Sequence, residues 1–532
     1  MLAPDMLPRF QTKWSRERLK GAPTRPTNAP GAAPARGYPQ HRGATTQERD
    51  LPLGQWGESA PQAVPAGTVA ALVILLGTAL TLTGETPAAV GRYAAIGAAA
   101  AVAATFFTDL RRGLQNLIRA DVMAIAALFF LTLFEFFFPQ PNFDEMISVR
   151  STYIGIHTVL TGLAGLLIGR HLWRPARQPF AETLTWEIPA GWLLVMLWSS
   201  FLLGFFHQII AVEFDFAAWV DYMMAPRFTQ PWQRGRLGDW KALLVELQLF
   251  IYLIPPLAGI IFARRFRFTK AQLALVAVTF AFTLFYGFSS GTRNVFASYL
   301  VTFLIGYTFA MPPGRRKELI TLTATSAVAF LVATVVMLEF RSVGFKNWLD
   351  GTYVEPEAKE RTLFVDYNLY AICRITEAFP KHRDYLGLEV PYNAIVRPIP
   401  RALWPGKPEG LSTSIEETLG VEGLTIAASF VGEAYMAGGF LAVLGTGLLL
   451  GAMTGWWSFL VSPQNSELGV LIYASGFFAA IISMRSLFVF TTALLPTIAA
   501  LVIGSYLVQR LRERRNQLPN GSPVSGAGAP RK

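Results

Sequence analysis

The chain is short of charge, of histidine and of cysteine. Of 532 residues, 15% are charged, five are histidine and one is cysteine, Cys373. A soluble protein carries about 25% charged residues, so the composition argues against a string of soluble domains. One cysteine excludes an intramolecular disulfide framework and a cysteine-based zinc cluster. The five histidines form no close pair, so neither a metal nor another cofactor is expected. The first ~62 residues have no apolar core and do not read as a signal peptide. They are rich in Pro, Gly, Ala and Arg and read as a disordered basic tail.

Apolar residues, in contrast, make up 52% of the chain. They fall in runs of roughly 18 residues or more, the length that crosses a bilayer. The pattern predicts an all-α polytopic membrane protein of about twelve transmembrane helices with a large structured outer loop. Residues 1–62 form a basic tail, 63–340 hold the first nine spans, 341–426 form the outer loop, 427–508 hold the last three spans, and 509–532 form a second basic tail. The net charge of +11 does not point to nucleic acid, because the basic residues gather at the ends of apolar runs. The segments "DLRRGLQNLIR", "RHLWRPARQ", "RRFRFTK" and "PPGRRKE" alternate with neutral or acidic connections. By the positive-inside rule they share the cytoplasmic side with both termini.

That alternation puts "SSGTRN", the connection at 211–241 and the loop at 341–426 outside. Arg293 in "SSGTRN" is then an outward cation on a tight turn. In the large loop, prolines at 391, 398, 400, 405 and 408 rule out a continuous helix and present Arg397, Arg401 and Lys407 at fixed positions. Arginine matches phosphate oxygens in a two-pronged fashion, so these cations suggest an anion site, with Arg341 at the end of the ninth span as a further contributor. Upstream, "KERTLFVDYNLYAICRITEAFPKHRDYLG" has helical apolar spacing and reads as an amphipathic helix near the membrane surface. Its His382 is a candidate general base, weighed against an ordinary surface histidine. Glu433 opens an apolar helix. An ionisable group there is costly and is a functional candidate by default, weighed against a structural pair with an arginine. Arg227, Arg234 and Arg236 form a second cationic group. Asp215 and Asp221 read as capping or solvated residues.

The turn "SSGTRN", the run "RPIPRALWPGKPEG" and the following "GEAYMAGGFLAVLGTGLLLG" together resemble the Wzy-type polymerases of oligosaccharide repeat units. The resemblance covers roughly the second half of the chain, from about Ala271 to Gly451, and departs from the usual pattern at "MAGGF". It implies a fold like that of the GT-C glycosyltransferases and a bacterial inner-membrane location. It also implies undecaprenyl-pyrophosphate-linked oligosaccharides as substrates, polymerised into O-antigen or exopolysaccharide, with a separate chain-length regulator as a partner. Glu433 or His382 would serve as base, with Arg293, Arg341, Arg397, Arg401 and Lys407 on the leaving pyrophosphate. A ligase using the same carrier lipid is the nearest alternative. A transporter or flippase and a scaffold without chemistry are the others.

Overall fold

The computed structural model describes residues 62–113, 116, 118–173, 184, 188–226, 229–232, 244–312, 314–340, 343–351, 368–399, 403–408, 411–413, 417, 427–460 and 466–517. Arg341, Arg401, Arg227, Arg234, Arg236 and both predicted tails, except for residue 62 and residues 509–517, lie outside these residues. Among the described residues every regular element is helical. The chain runs α1 (Pro65–Leu80), α2 (Pro87–Leu110), α3 (Ala120–Thr132), α4 (Val149–Gly169), α5 (Ala190–Ala211), α6 (Ile254–Ala263), α7 (Lys270–Ser289), α8 (Arg293–Ala310) and α9 (Arg316–Phe340). The loop helices α10 (Asn368–Ala378) and α11 (Glu389–Val396) follow, then α12 (Ser429–Ser458), α13 (Glu467–Ile482), α14 (Leu487–Ala493) and α15 (Leu495–Gln517).

Among the described residues, eight helical segments are long and apolar enough to cross a membrane: α2, α4, α5, Val245–Ala263, α7, most of α9, α12 and Leu487–Glu513. Helices α1, α3 and α13 are apolar but shorter. Local chemistry explains the interruptions. Pro255 and Pro256 open α6 and carry no amide hydrogen, so an α-helical ladder cannot run through them. The preceding Val245–Leu253 is accordingly wound as a 3₁₀ helix. At α3 the helix stops at Leu133 and a 3₁₀ turn of phenylalanines, Phe134–Phe137, takes over.

Two glycine seams bring helices into backbone contact. Along α4 and α12, a Cβ added to Gly165 would lie 2.9 Å from the Cα of Gly447, and one on Gly451 would lie 2.5 Å from the Leu166 carbonyl oxygen. Along α6 and α8, Gly259 and Gly306 face the carbonyls of Phe303 and Pro256 in the same way. With lipid outside, such close packing drives helix association. Gly451→Ala meets backbone that cannot turn aside, and should cost about 1–3 kcal/mol, measured as a lower midpoint of unfolding in detergent.

At the side that the charge pattern assigns to the cytoplasm, four charges are buried together. Arg170, at the C-terminus of α4, pairs with Asp109 of α2 and, at 2.8 Å, with Asp121 of α3. Arg119 pairs with Asp121 at 2.6 Å, and the Ser458 hydroxyl of α12 donates to Asp121 at 2.9 Å. Two of the arginines in the basic connections, Arg119 and Arg170, are therefore neutralised inside the bundle. In the first of those loops the exposed Arg111 and Arg112 still carry the signal.

The loop expectation is also revised. The apolar face of helix α10 is covered by protein rather than left open toward lipid. Its Leu369, Ala371, Ile372, Cys373 and Ile375 are buried, and it packs between α4 and α12, with Cys373 against Gly155. Pro391 sits in the first turn of α11, where a missing amide hydrogen is harmless. A helix therefore forms inside the proline-rich segment and ends just before Pro398.

Candidate functional site

Helix α12 begins at Ser429 and is kinked at Gly438–Gly439, where Gly439 takes a φ of 65° that favours glycine. Above the kink, Glu433 is 2% exposed. Both carboxylate oxygens are engaged. One accepts from the Ser486 hydroxyl at 2.6 Å and the other from the Leu487 amide at 2.6 Å. Ser486 is the N-cap of α14, and its Oγ accepts from the Phe488 amide. Glu433 thus satisfies donors that the start of α14 would otherwise leave unmet, and pins the segment 484–487 to α12.

Helix α11 brings the cation. Arg397 follows its last residue, and the guanidinium carbon lies 5.8 Å from the centre of the Phe488 ring. That distance suits a cation–π contact. Arg397 is also near enough to Glu433 for their charges to attract. Lys407 reaches back along the chain, and its ammonium donates to the carbonyls of Arg397 at 2.7 Å and Ile399 at 2.8 Å. It closes the C-terminal end of α11 and fixes the backbone that carries Arg397.

One arginine adjoining this group in the chain belongs to no motif in the sequence. Arg485 is half-buried, immediately precedes Ser486, and makes no ion pair or side-chain hydrogen bond among the described residues. Its only sequence signal is that of a lone cation in the very short connection between the last two spans, on the side assigned outward.

The remaining candidates lie elsewhere. Arg293 is the first residue of α8 and is half-buried after a turn in which Gly291 takes a φ of 62°. Phe296, one turn on, belongs to a cluster with Met337, Phe340, Phe288 and Phe345, separate from the core around Phe430, Val431 and Tyr435 beside Glu433. His382 is exposed in the turn after α10. Its neighbour Arg383 holds the loop together, donating to Thr413 at 2.9 Å and pairing with Glu417 at 3.0 Å. Glu389 accepts from Ser412. Asp215 caps the short helix Phe216–Met223, and Asp221 pairs with Lys346 at 2.9 Å.

The arrangement is a buried carboxylate that ties the start of α14 to α12 beside the Arg397 guanidinium, with Arg485 next in the chain to its partner Ser486. No family model, no curated protein and no solved structure matches this chain.

Proposed function

We propose that the chain is a membrane glycosyltransferase that polymerises undecaprenyl-pyrophosphate-linked oligosaccharide repeat units into O-antigen or exopolysaccharide, as its resemblance to the Wzy-type polymerases implies. The observation that carries this reading is Arg397, held on the Phe488 ring and attracted to the buried Glu433, with both charged residues within the segment of resemblance. In this reading the protein has about twelve spans, sits in the bacterial inner membrane with both termini cytoplasmic, and works at the outer face. A chain-length regulator acts with it.

A hydroxyl of one repeat unit attacks the anomeric carbon of the other chain. The bond from that carbon to the pyrophosphate oxygen breaks, and undecaprenyl pyrophosphate leaves with the electron pair. The negative charge developing on that oxygen is what fixed guanidinium groups stabilise, without a proton transfer of their own. Glu433 acts here as a positioning residue, because both its oxygens are already engaged. His382, exposed on the loop, remains the candidate to accept the hydroxyl proton. Arg293, Arg341 and Arg401 are further candidates for the second substrate's pyrophosphate.

Arg485→Ala removes one cation and leaves every other described contact in place. Chain elongation should fall about 10²–10³-fold. Gels of surface polysaccharide should then show single-repeat products, with the protein inserted in normal amount. Full-length polymer left on the carrier lipid would instead indicate a ligase. Unchanged ladders would remove Arg485 from the site.

A further inference from the structure

The outer loop carries an apolar face that none of the described residues covers. Helix α11 turns Val390, Ala394 and Val396 inward, against α12 and α14. On its other side Leu388, Tyr392 and Ile395 recur at helical spacing, and Leu388 and Ile395 are 83% and 70% exposed. Ile399 and Leu403 follow in the turns leaving the helix and are also exposed. A soluble loop would bury such a stripe or make it polar.

Two backbone hydrogen bonds fix the depth of this helix. The amides of Leu386 and Gly387 donate to the carbonyls of Met436 and Ala437, at 2.8 and 2.9 Å. The start of α11 is thereby tied to α12 just before its kink. Below the kink, residues 440–458 rise about 28 Å at about 1.5 Å per residue, close to the ~30 Å of bilayer hydrocarbon. With residues 440–458 as the span, the kink falls at the outer edge of the hydrocarbon and α11 at the same level. Leu441, just past the kink on a helix long and apolar enough to cross a membrane, is likewise 83% exposed. Tyr385, packed against Gly439, and the exposed Tyr392 are residues that favour the boundary between headgroup and hydrocarbon.

We infer that α11 is an interfacial helix whose exposed face, from Leu388 to Ile395, is immersed in the acyl chains of the outer leaflet. The occupant of the face is the bilayer, and the large loop is in part a membrane-embedded element. This inference stands apart from the proposed enzymatic activity.

The single cysteine makes a direct test practical. Cys373 is fully buried, and burial, reinforced by the charge of Glu377, pushes its thiol pKa well above the usual range, so it resists labelling. Nitroxide labels placed at Ile395→Cys and separately at Leu388→Cys, in the full chain reconstituted into vesicles of phosphatidylethanolamine and phosphatidylglycerol, report their surroundings by collision. Both should relax more with dissolved oxygen than with a water-soluble nickel chelate, as a label at Leu441→Cys does, while a label at the exposed Lys381→Cys shows the reverse. Labels at 388 and 395 that behave like the one at 381 would overturn the inference. So would labels shielded from both reagents, which would mean that protein, a second copy or another partner, covers the face.

Discussion

Arg397→Ala is expected to reduce chain elongation about 10²–10³-fold while leaving the amount of inserted protein unchanged. The side chain lies on the Phe488 ring and attracts Glu433, so truncation removes a cation that the fold has already oriented. Arg397→Lys keeps the charge but loses the planar fork and its stacking, and should recover only part of the activity. Glu433→Gln tests the positioning role. It keeps the side chain's shape but places an amide against the Leu487 amide or the Ser486 hydroxyl, both of which now donate to it. If Glu433 works through the arginine, the two substitutions combined will cost clearly less than the sum of each alone, the mark of groups that act as a unit. Additive losses would separate them. Steady-state elongation rates on lipid-linked repeat units, for the two single variants and the double, measure this.

Arg170→Met is expected to destabilise the folded bundle by about 3–5 kcal/mol, the cost of breaking a buried ion pair and leaving the partner charge buried. Arg170 is fully buried and bridges Asp109 and Asp121. Removing it leaves Asp109 without that cation. The double variant Arg170→Met with Asp109→Asn removes one charge of each sign and leaves the Arg119–Asp121 pair intact. It should recover most of the loss. Unfolding of the purified protein in mixed micelles of increasing denaturing detergent reads both. A double variant as unstable as the single one would mean that Arg170 matters for its volume rather than its charge.

The all-helical, apolar character could be read from the sequence because a long apolar run with few charges is stable as a helix in lipid and costly to expose to water, and eight such helices are found among the described residues. α7 is an instance: the apolar run that opens the stretch from Ala271 is the helix Lys270–Ser289. Glu433 was legible for the related reason that a charge opening an apolar helix is conspicuous. The loop was harder, because helical periodicity shows that a segment has two faces without saying which partner covers the apolar one. For α10 that partner is α4, more than 200 residues earlier, and Cys373 against Gly155 is a contact that no local pattern announces. Prolines concealed α11, since Pro391 breaks a helix interior but is tolerated in a first turn. Arg170 looked like an ordinary loop cation because its partners, Asp109 and Asp121, come from other helix ends; Arg119 has its partner two residues on, but the burial of that pair depends on the helices around it. Arg485 is inconspicuous because a connection of two or three residues offers no motif, and its setting depends on Glu433 more than fifty residues earlier.

The central claim is that this protein elongates lipid-linked glycans at a cationic site built by α11, α12 and the start of α14. Its most direct test uses the purified full chain in vesicles, supplied with undecaprenyl-pyrophosphate-linked repeat units and no other protein. The expected result is a ladder of products, each longer by one repeat unit, that disappears with Arg397→Ala. Movement of the substrate across the vesicle membrane with no elongation, or a ladder that Arg397→Ala leaves unchanged, would contradict it.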